Sequence, residues 1–237
     1  MSHQWIVNIL TLFPDLFPGP LSKSVTGRAL DNKLWSINTY NIRDYATDKH
    51  KTVDDIPYGG GSGMVMRPDV LSNAINNTFN TNFRNIYLSP RGKLFNQEMA
   101  RNLAKEPGIN LICGRFEGID ERIIEKFSVE EISIGDYILS SGDLAAYILI
   151  DACLRNIPGI LHCQDSLKEE SFGDSEEYKY LLEYPQYTRP AIFDGISVPG
   201  TLFSGNHKKI REWRLAMAKE KTKQVRPDLW EKNKLTY

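Results

Sequence analysis

The chain has 237 residues, long enough for one large domain or two smaller ones with a sizeable hydrophobic core. Its apolar and charged fractions are ordinary for a soluble protein, and no apolar run approaches the roughly 20 residues of a membrane span, which excludes a helical membrane protein. The formal net charge is −1, so bulk charge announces no nucleic-acid partner, and the distribution of charge along the chain has to carry that question.

The opening segment, Met1 to Phe13, is apolar but has neither a basic leader nor a small-residue cleavage site, and Pro14-Asp15 follows it. A first buried strand is expected there rather than a signal peptide. Next, Thr52 to Met64 holds the triplet Gly59-Gly60-Gly61. It is not a P-loop, because no Gly-Lys-Ser/Thr follows, but bare backbone of this kind lets a flat base approach closely. Three β-prone runs then appear: Asn85–Ser89, ending at Pro90-Arg91-Gly92; Ile109–Cys113, ending at Gly114; and Glu131–Ile134, ending at Gly135. Between and after them Phe95, Met99 and Leu103, and then Leu144, Ile148 and Ala152, recur at helical spacing. Strands alternating with amphipathic helices predict an α/β fold with a parallel sheet. Ligands of such sheets bind beyond the carboxyl ends of the strands, where all three glycine turns fall. Ordinary strand-to-helix turns have the same look singly; three together point to a small-molecule site.

Cys113, Cys153 and Cys163 make an odd set without CxxC spacing, so free thiols in a reducing cytoplasm are expected, the first two in the core. His3, His50, His162 and His207 are too scattered for a zinc set. Residues 164–187 are rich in Ser, Glu and Asp and read as a flexible linker or lid. Ser204 to His207 supplies N-cap residues for a basic helix, in which eight Lys or Arg fall between Lys208 and Arg226 while Ile210, Trp213 and Met217 mark an apolar face. That charge suits phosphate contact, although a solvated helix face has the same composition.

Taken in order, the chain resembles the bacterial tRNA (guanine-N1)-methyltransferases, a family of knotted SPOUT methyltransferases. The resemblance rests on Leu12-Phe13-Pro14 with Val25–Arg28, His50–Met64 (HKTVDDIPYGGGSGM), Tyr87–Pro90, Cys113–Arg122 (CGRFEGIDER) and Ser133–Leu139 (SIGDYIL). It continues through Ile157-Pro158-Gly159, Glu170-Ser171-Phe172, Tyr184–Pro190 and Leu202–Arg214. The blocks keep their order over nearly the whole chain, and HKTVDDIPYGGG and the CGRFEGIDER–SIGDY pair are the specific ones.

The resemblance implies a SPOUT-type parallel sheet with a trefoil knot, which connection rules alone would not suggest. It implies domains at 1–163 (knotted, cofactor-binding), 164–187 (linker) and 188–237 (helical, tRNA-binding), and a cytoplasmic homodimer whose subunits share each active site. The implied reaction moves a methyl group from S-adenosylmethionine to N1 of the guanine 3′ to the anticodon, supporting reading-frame maintenance. Carried over residue by residue, Glu170 is the base, standing where the family usually has aspartate, with Glu169 its neighbour and fallback. Arg155 stabilises charge developing at guanine O6. The donor is held by Tyr87, Leu88, Ser89 and Pro90, by Gly114, Phe116, Glu117 and Gly118, and by Ser133, Ile134, Gly135, Asp136, Tyr137, Ile138 and Leu139 with Gly142. The RNA is met by His50, Asp54, Asp55, Tyr58, Gly59, Gly60, Ser171, Phe172 and Arg189, and Mg²⁺ is associated with Glu117. Phe116, Ser141, Asp143 and Ala145 depart from the residues commonly found there. An RNA-binding protein without catalysis and a ribose 2′-O-methyltransferase on the same knot are the competing readings.

Overall fold

The computed structural model of the chain describes residues 4–163 and 166–236; His3 and the first two residues of the expected linker, Gln164 and Asp165, lie outside the described residues. The elements in order are β1 (Trp5–Thr11), α1 (Ser24–Asp31), β2 (Trp35–Asn41), β3 (Asp54–Asp55), β4 (Val65–Met66), α2 (Pro68–Thr78), β5 (Arg84–Leu94), α3 (Gln97–Lys105), β6 (Gly108–Ile112), α4 (Glu121–Lys126), β7 (Glu130–Ser133) and α5 (Gly142–Leu154). They are followed by α6 (Ser166–Glu169), β8 (Ile192–Phe193), β9 (Ile196–Ser197), α7 (His207–Val225) and α8 (Pro227–Thr236). Contacts divide the chain into two units, Met1–His162 and Cys163–Tyr237.

In the first unit five strands form one parallel sheet in the order β2-β1-β6-β5-β7. The opening segment is the buried strand β1, and its near-continuous apolar run reflects helices on both faces of the sheet. Trp5, Val7 and Ile9 with Ile109 and Leu111 face a core closed by α1, α3 and α5. Leu10, Tyr87 and Ile112 face the opposite core under α2 and α4. An asparagine row ties the middle strands: Asn38 donates to Asn8, Asn8 to Asn110 and Asn110 to Asn85, each at 2.9 Å, and Asn85 donates to the Phe127 carbonyl at 3.0 Å. With Asn8 and Asn110 buried, these bonds satisfy amide groups that would be costly to leave unpaired.

Two expectations are corrected here. The strand that opens at Arg84 does not stop at Pro90. Leu88 and Lys93 both stand opposite Ile132, so Ser89 to Gly92 bulge out and the strand resumes to Leu94. A Cβ on Gly92 would lie 2.4 Å from the Glu131 backbone, so only glycine lets the bulge close against β7. Second, α5 does not bury Leu144 and Ile148, although Ala152 packs against the core. It buries Ala145, Ala146, Leu149, Ile150, Cys153 and Leu154, and leaves Leu144 52% and Ile148 48% exposed. The helix is apolar almost all round, so periodicity does not select a face.

The second unit has its own core of Tyr178, Leu181, Tyr184 and Ala218, packed by Leu215, Met217 and Trp230. Three of those four buried residues come from the polar segment read as a linker. The basic helix is α7, capped by the Asn206 side chain, which accepts from the Lys209 backbone at 3.1 Å. Cys113 and Cys153 are buried free thiols and Cys163 is an exposed one, in agreement with the sequence reading. Among the described residues no helix is long and apolar enough to cross a membrane.

Candidate functional site

The middle of β5 and the carboxyl ends of β6 and β7 converge on a cavity of about 270 Å³. Its walls are the Ser89–Gly92 bulge, the turn after β6 and the segment between β7 and α5. Every residue expected to hold the donor lines it except Asp136, which is exposed. The lining also includes Arg91, Arg115, Ile119, Ile132, Ser140, Ser141 and Ala145, which the sequence reading did not assign. Arg115 and Ser141 sit inside motifs already singled out, so adjacency was the available signal.

Each wall is fixed by local bonds. In the first, Ser89 Oγ accepts from the Arg91 backbone at 3.2 Å. In the second, Gly118 N–H reaches the Arg115 carbonyl at 3.1 Å, closing a tight turn that holds Phe116 at φ +59°, left-handed backbone rare for an aromatic residue. A Cβ on Gly114 would stand 2.6 Å from the Tyr87 ring, so glycine is required for that ring to back the turn. In the third, Ser133 Oγ donates to the Gly135 carbonyl at 3.1 Å and accepts from its N–H at 3.2 Å, while Tyr137 O–H reaches the Ile134 carbonyl at 3.2 Å. Gly142 N–H donates to the Gly114 carbonyl at 3.0 Å and joins the third wall to the second.

The electrostatics are uneven. Arg91 is ion-paired with Glu121 at 2.9 Å and with Glu131 at 3.5 Å. The Tyr87 phenol is pushed up by burial and then by Glu131, so it stays protonated as a donor at neutral pH. Glu117 is the single carboxylate of the lining, and Arg115 stacks on Phe13 with 4.5 Å from guanidinium carbon to ring centroid.

The residues expected to meet RNA stand elsewhere. Asp48 accepts from Thr52 N–H and Oγ1 at 3.1 and 2.9 Å and from His50 N–H at 3.1 Å, and the Thr52 bonds hold its carboxyl below the usual range. That turn leads into β3, where Asp54 and Asp55 pair with Met66 and Val65 of β4. Between these strands Tyr58, Gly59 and Gly60 are fully open to solvent, Tyr58 at 99%. The hairpin base is tied to the second wall: Glu117 N–H donates to the Met64 carbonyl, and Met66 N–H to the Gly118 carbonyl, both at 2.9 Å. None of His50, Asp54, Asp55, Tyr58, Gly59 and Gly60 lines the cavity.

Arg155 caps α5 in the first unit and is half-buried. Glu170, Ser171, Phe172 and Arg189 belong to the second unit. There Ser171 Oγ accepts from Glu183 N–H at 2.9 Å, and Phe172, at φ +60°, donates its N–H to the Leu181 carbonyl at 2.9 Å. Arg189 is exposed. Glu169 is bound into this unit: Arg214 reaches it at 3.3 Å and Tyr184 O–H donates to it at 3.3 Å.

A family model described as tRNA (Guanine-1)-methyltransferase TrmD matches residues 5–232. The chain is 50% identical over 231 residues to the tRNA (guanine-N(1)-)-methyltransferase of Pelagibacter ubique (strain HTCC1062), covering 98% of this chain and 99% of that relative. It is 51% identical over 225 residues to the enzyme of that name from Wolbachia pipientis subsp. Culex pipiens (strain wPip), covering 94% and 96%. A relative of the same name from Ehrlichia ruminantium (strain Gardel) is 52% identical over 225 residues, covering 94% of each. With a family match over nearly its whole length and half its residues shared with these enzymes, the chain belongs to the tRNA (guanine-1)-methyltransferase family.

Proposed function

We propose that the chain methylates N1 of the guanine 3′ to the anticodon of tRNA in the cytoplasm, with S-adenosylmethionine as donor. The observation that carries the reading is one cavity walled by the β5 bulge, the turn after β6 and the segment after β7 in a chain of this family. The cavity suits an adenosine: apolar walls from Leu88, Ile134, Ile138 and Leu139 sit beside the backbone polar groups of the third segment. Bound there, S-adenosylmethionine supplies a methyl group on positively charged sulfur.

The chain's own residues do the rest. Neutral guanine carries a proton on N1, so that nitrogen needs a base as it attacks. Glu170 takes the proton, a role worth about 10²–10⁴-fold in rate. Arg155 steadies the negative charge that grows on O6. Asp54, Asp55, Tyr58 and the open glycine loop form the slot for the extruded guanine, with His50 beside it. Ser171, Phe172 and Arg189 close over the RNA, and α7 holds the tRNA stem by its phosphates.

Two copies share each site in this reading, and the exposed Leu144 and Ile148 on α5 support a homodimer. The trefoil knot that the resemblance implies belongs to the same proposal, its support being the family match. Magnesium, which the resemblance implies at Glu117, meets a single carboxylate here, and among the described residues no group of three or more His, Cys, Asp and Glu could hold a metal. The donor set does not build a magnesium site by itself, and no step is routed through the ion.

The reading is tested by incubating labelled S-adenosylmethionine with unmodified tRNA transcripts carrying guanine or adenine beside the anticodon. Label on guanine transcripts alone is expected; label on neither, or equally on both, contradicts it.

A further inference from the structure

The cavity holds one cation without an anionic partner. Arg91 is satisfied by Glu121 and Glu131. Arg115 lines the cavity and has no carboxylate partner among the described residues.

The side chain is also held in place. Arg115 opens the turn closed by the Gly118 N–H, and the next residue but one, Glu117, is bonded through its N–H to Met64. Its guanidinium lies over Phe13, whose own N–H donates to Thr11 Oγ1 at 3.0 Å. A guanidinium carries a planar fork of N–H groups that can grip two oxygens at once. Two residues along, Glu117 is the only carboxylate of the lining among the described residues. One unpaired cation and one carboxylate on the same turn match the charges of an amino-acid zwitterion.

The geometry points to Arg115 as the residue that receives the carboxylate of the donor's methionine tail. This rests on the cavity being the S-adenosylmethionine site. An RNA phosphate offers the same anionic oxygens, but it has no ammonium for Glu117 to meet.

Calorimetry on the full chain without RNA tests it, using S-adenosylmethionine and its decarboxylated analogue, which lacks only the carboxylate. The wild type is expected to favour the intact donor by about 10- to 100-fold, the range for a charge-assisted pair. Arg115→Gln removes that preference by weakening the intact donor alone, and Arg115→Lys, which keeps the charge without the fork, retains part of it. Equal weakening of both ligands by Arg115→Gln, or no weakening of either with a raised KM for tRNA, overturns the assignment and in the second case gives the side chain to an RNA phosphate. Failure of the wild type to bind either ligand overturns it together with the reading of the cavity.

Discussion

Thr11, the last residue of β1, donates its hydroxyl to the buried carboxylate of Asp143 in the first turn of α5 at 2.6 Å. The bond joins a central strand to the helix that opens at the third cavity wall, and the same hydroxyl oxygen accepts from Phe13, which carries Arg115. The other Asp143 oxygen is buried without a hydrogen bond, so Thr11 is the carboxylate's principal support. A carboxylate near a helix N-terminus is further favoured by the helix dipole. Thr11→Val should therefore lower stability by about 1–3 kcal/mol, the cost of leaving a buried polar group unsatisfied, while Thr11→Ser stays within about 1 kcal/mol. Urea unfolding midpoints check this; an unchanged midpoint in Thr11→Val contradicts it.

Thiol chemistry reads the same region. Burial pushes the Cys113 thiol well above its ordinary range and Asp143 pushes it further; burial alone does so for Cys153. Both stay protonated and shielded, whereas Cys163 is exposed. A disulfide reagent should titrate one thiol of the native chain and three after unfolding. Prompt native reaction of a second thiol would show that the α5 face against β6 is open.

The adjacent glutamates separate by function. Glu170→Gln should reduce turnover by at least about 10²-fold with donor affinity near normal. Glu169→Gln should instead loosen the second unit, losing its half-exposed ion pair to Arg214, worth up to about 1 kcal/mol, and keep most of the turnover. Single-turnover kinetics and melting curves distinguish the two. Equal activity loss in both variants, or full activity in Glu170→Gln, contradicts the assignment.

Leu144 and Ile148 lie one turn apart on α5 with about half their surface open. In a homodimer they are covered. Leu144→Glu should shift the sedimentation coefficient from dimer towards monomer, since a buried unpaired charge opposes association. A wild-type chain that sediments as a monomer at micromolar concentration contradicts the shared-site arrangement.

Much of this was legible in the sequence because its physical causes are local. Glycine turns after β6 and β7 and the Pro90–Gly92 run marked the cavity walls, and apolar runs between polar turns marked β1, β5, β6 and β7. What escaped depended on partners far along the chain. The asparagine row needs the register of four strands, which no single segment encodes. The α5 face could not be chosen because both faces are apolar. Pro90 looked like a strand end because a bulge and a stop share the same residues. Tyr178, Leu181 and Tyr184 were hidden in an acidic stretch whose core role appears only against α7. Arg115 was passed over because a lone arginine in a motif carries no sign of whether it will be paired.

The most direct test of the account is the identity of the modified nucleoside. A guanine-bearing transcript treated with the chain and S-adenosylmethionine is digested to nucleosides and resolved by mass spectrometry. The account predicts 1-methylguanosine from the position 3′ to the anticodon; 2′-O-methylguanosine there, or no methylated nucleoside, would contradict it.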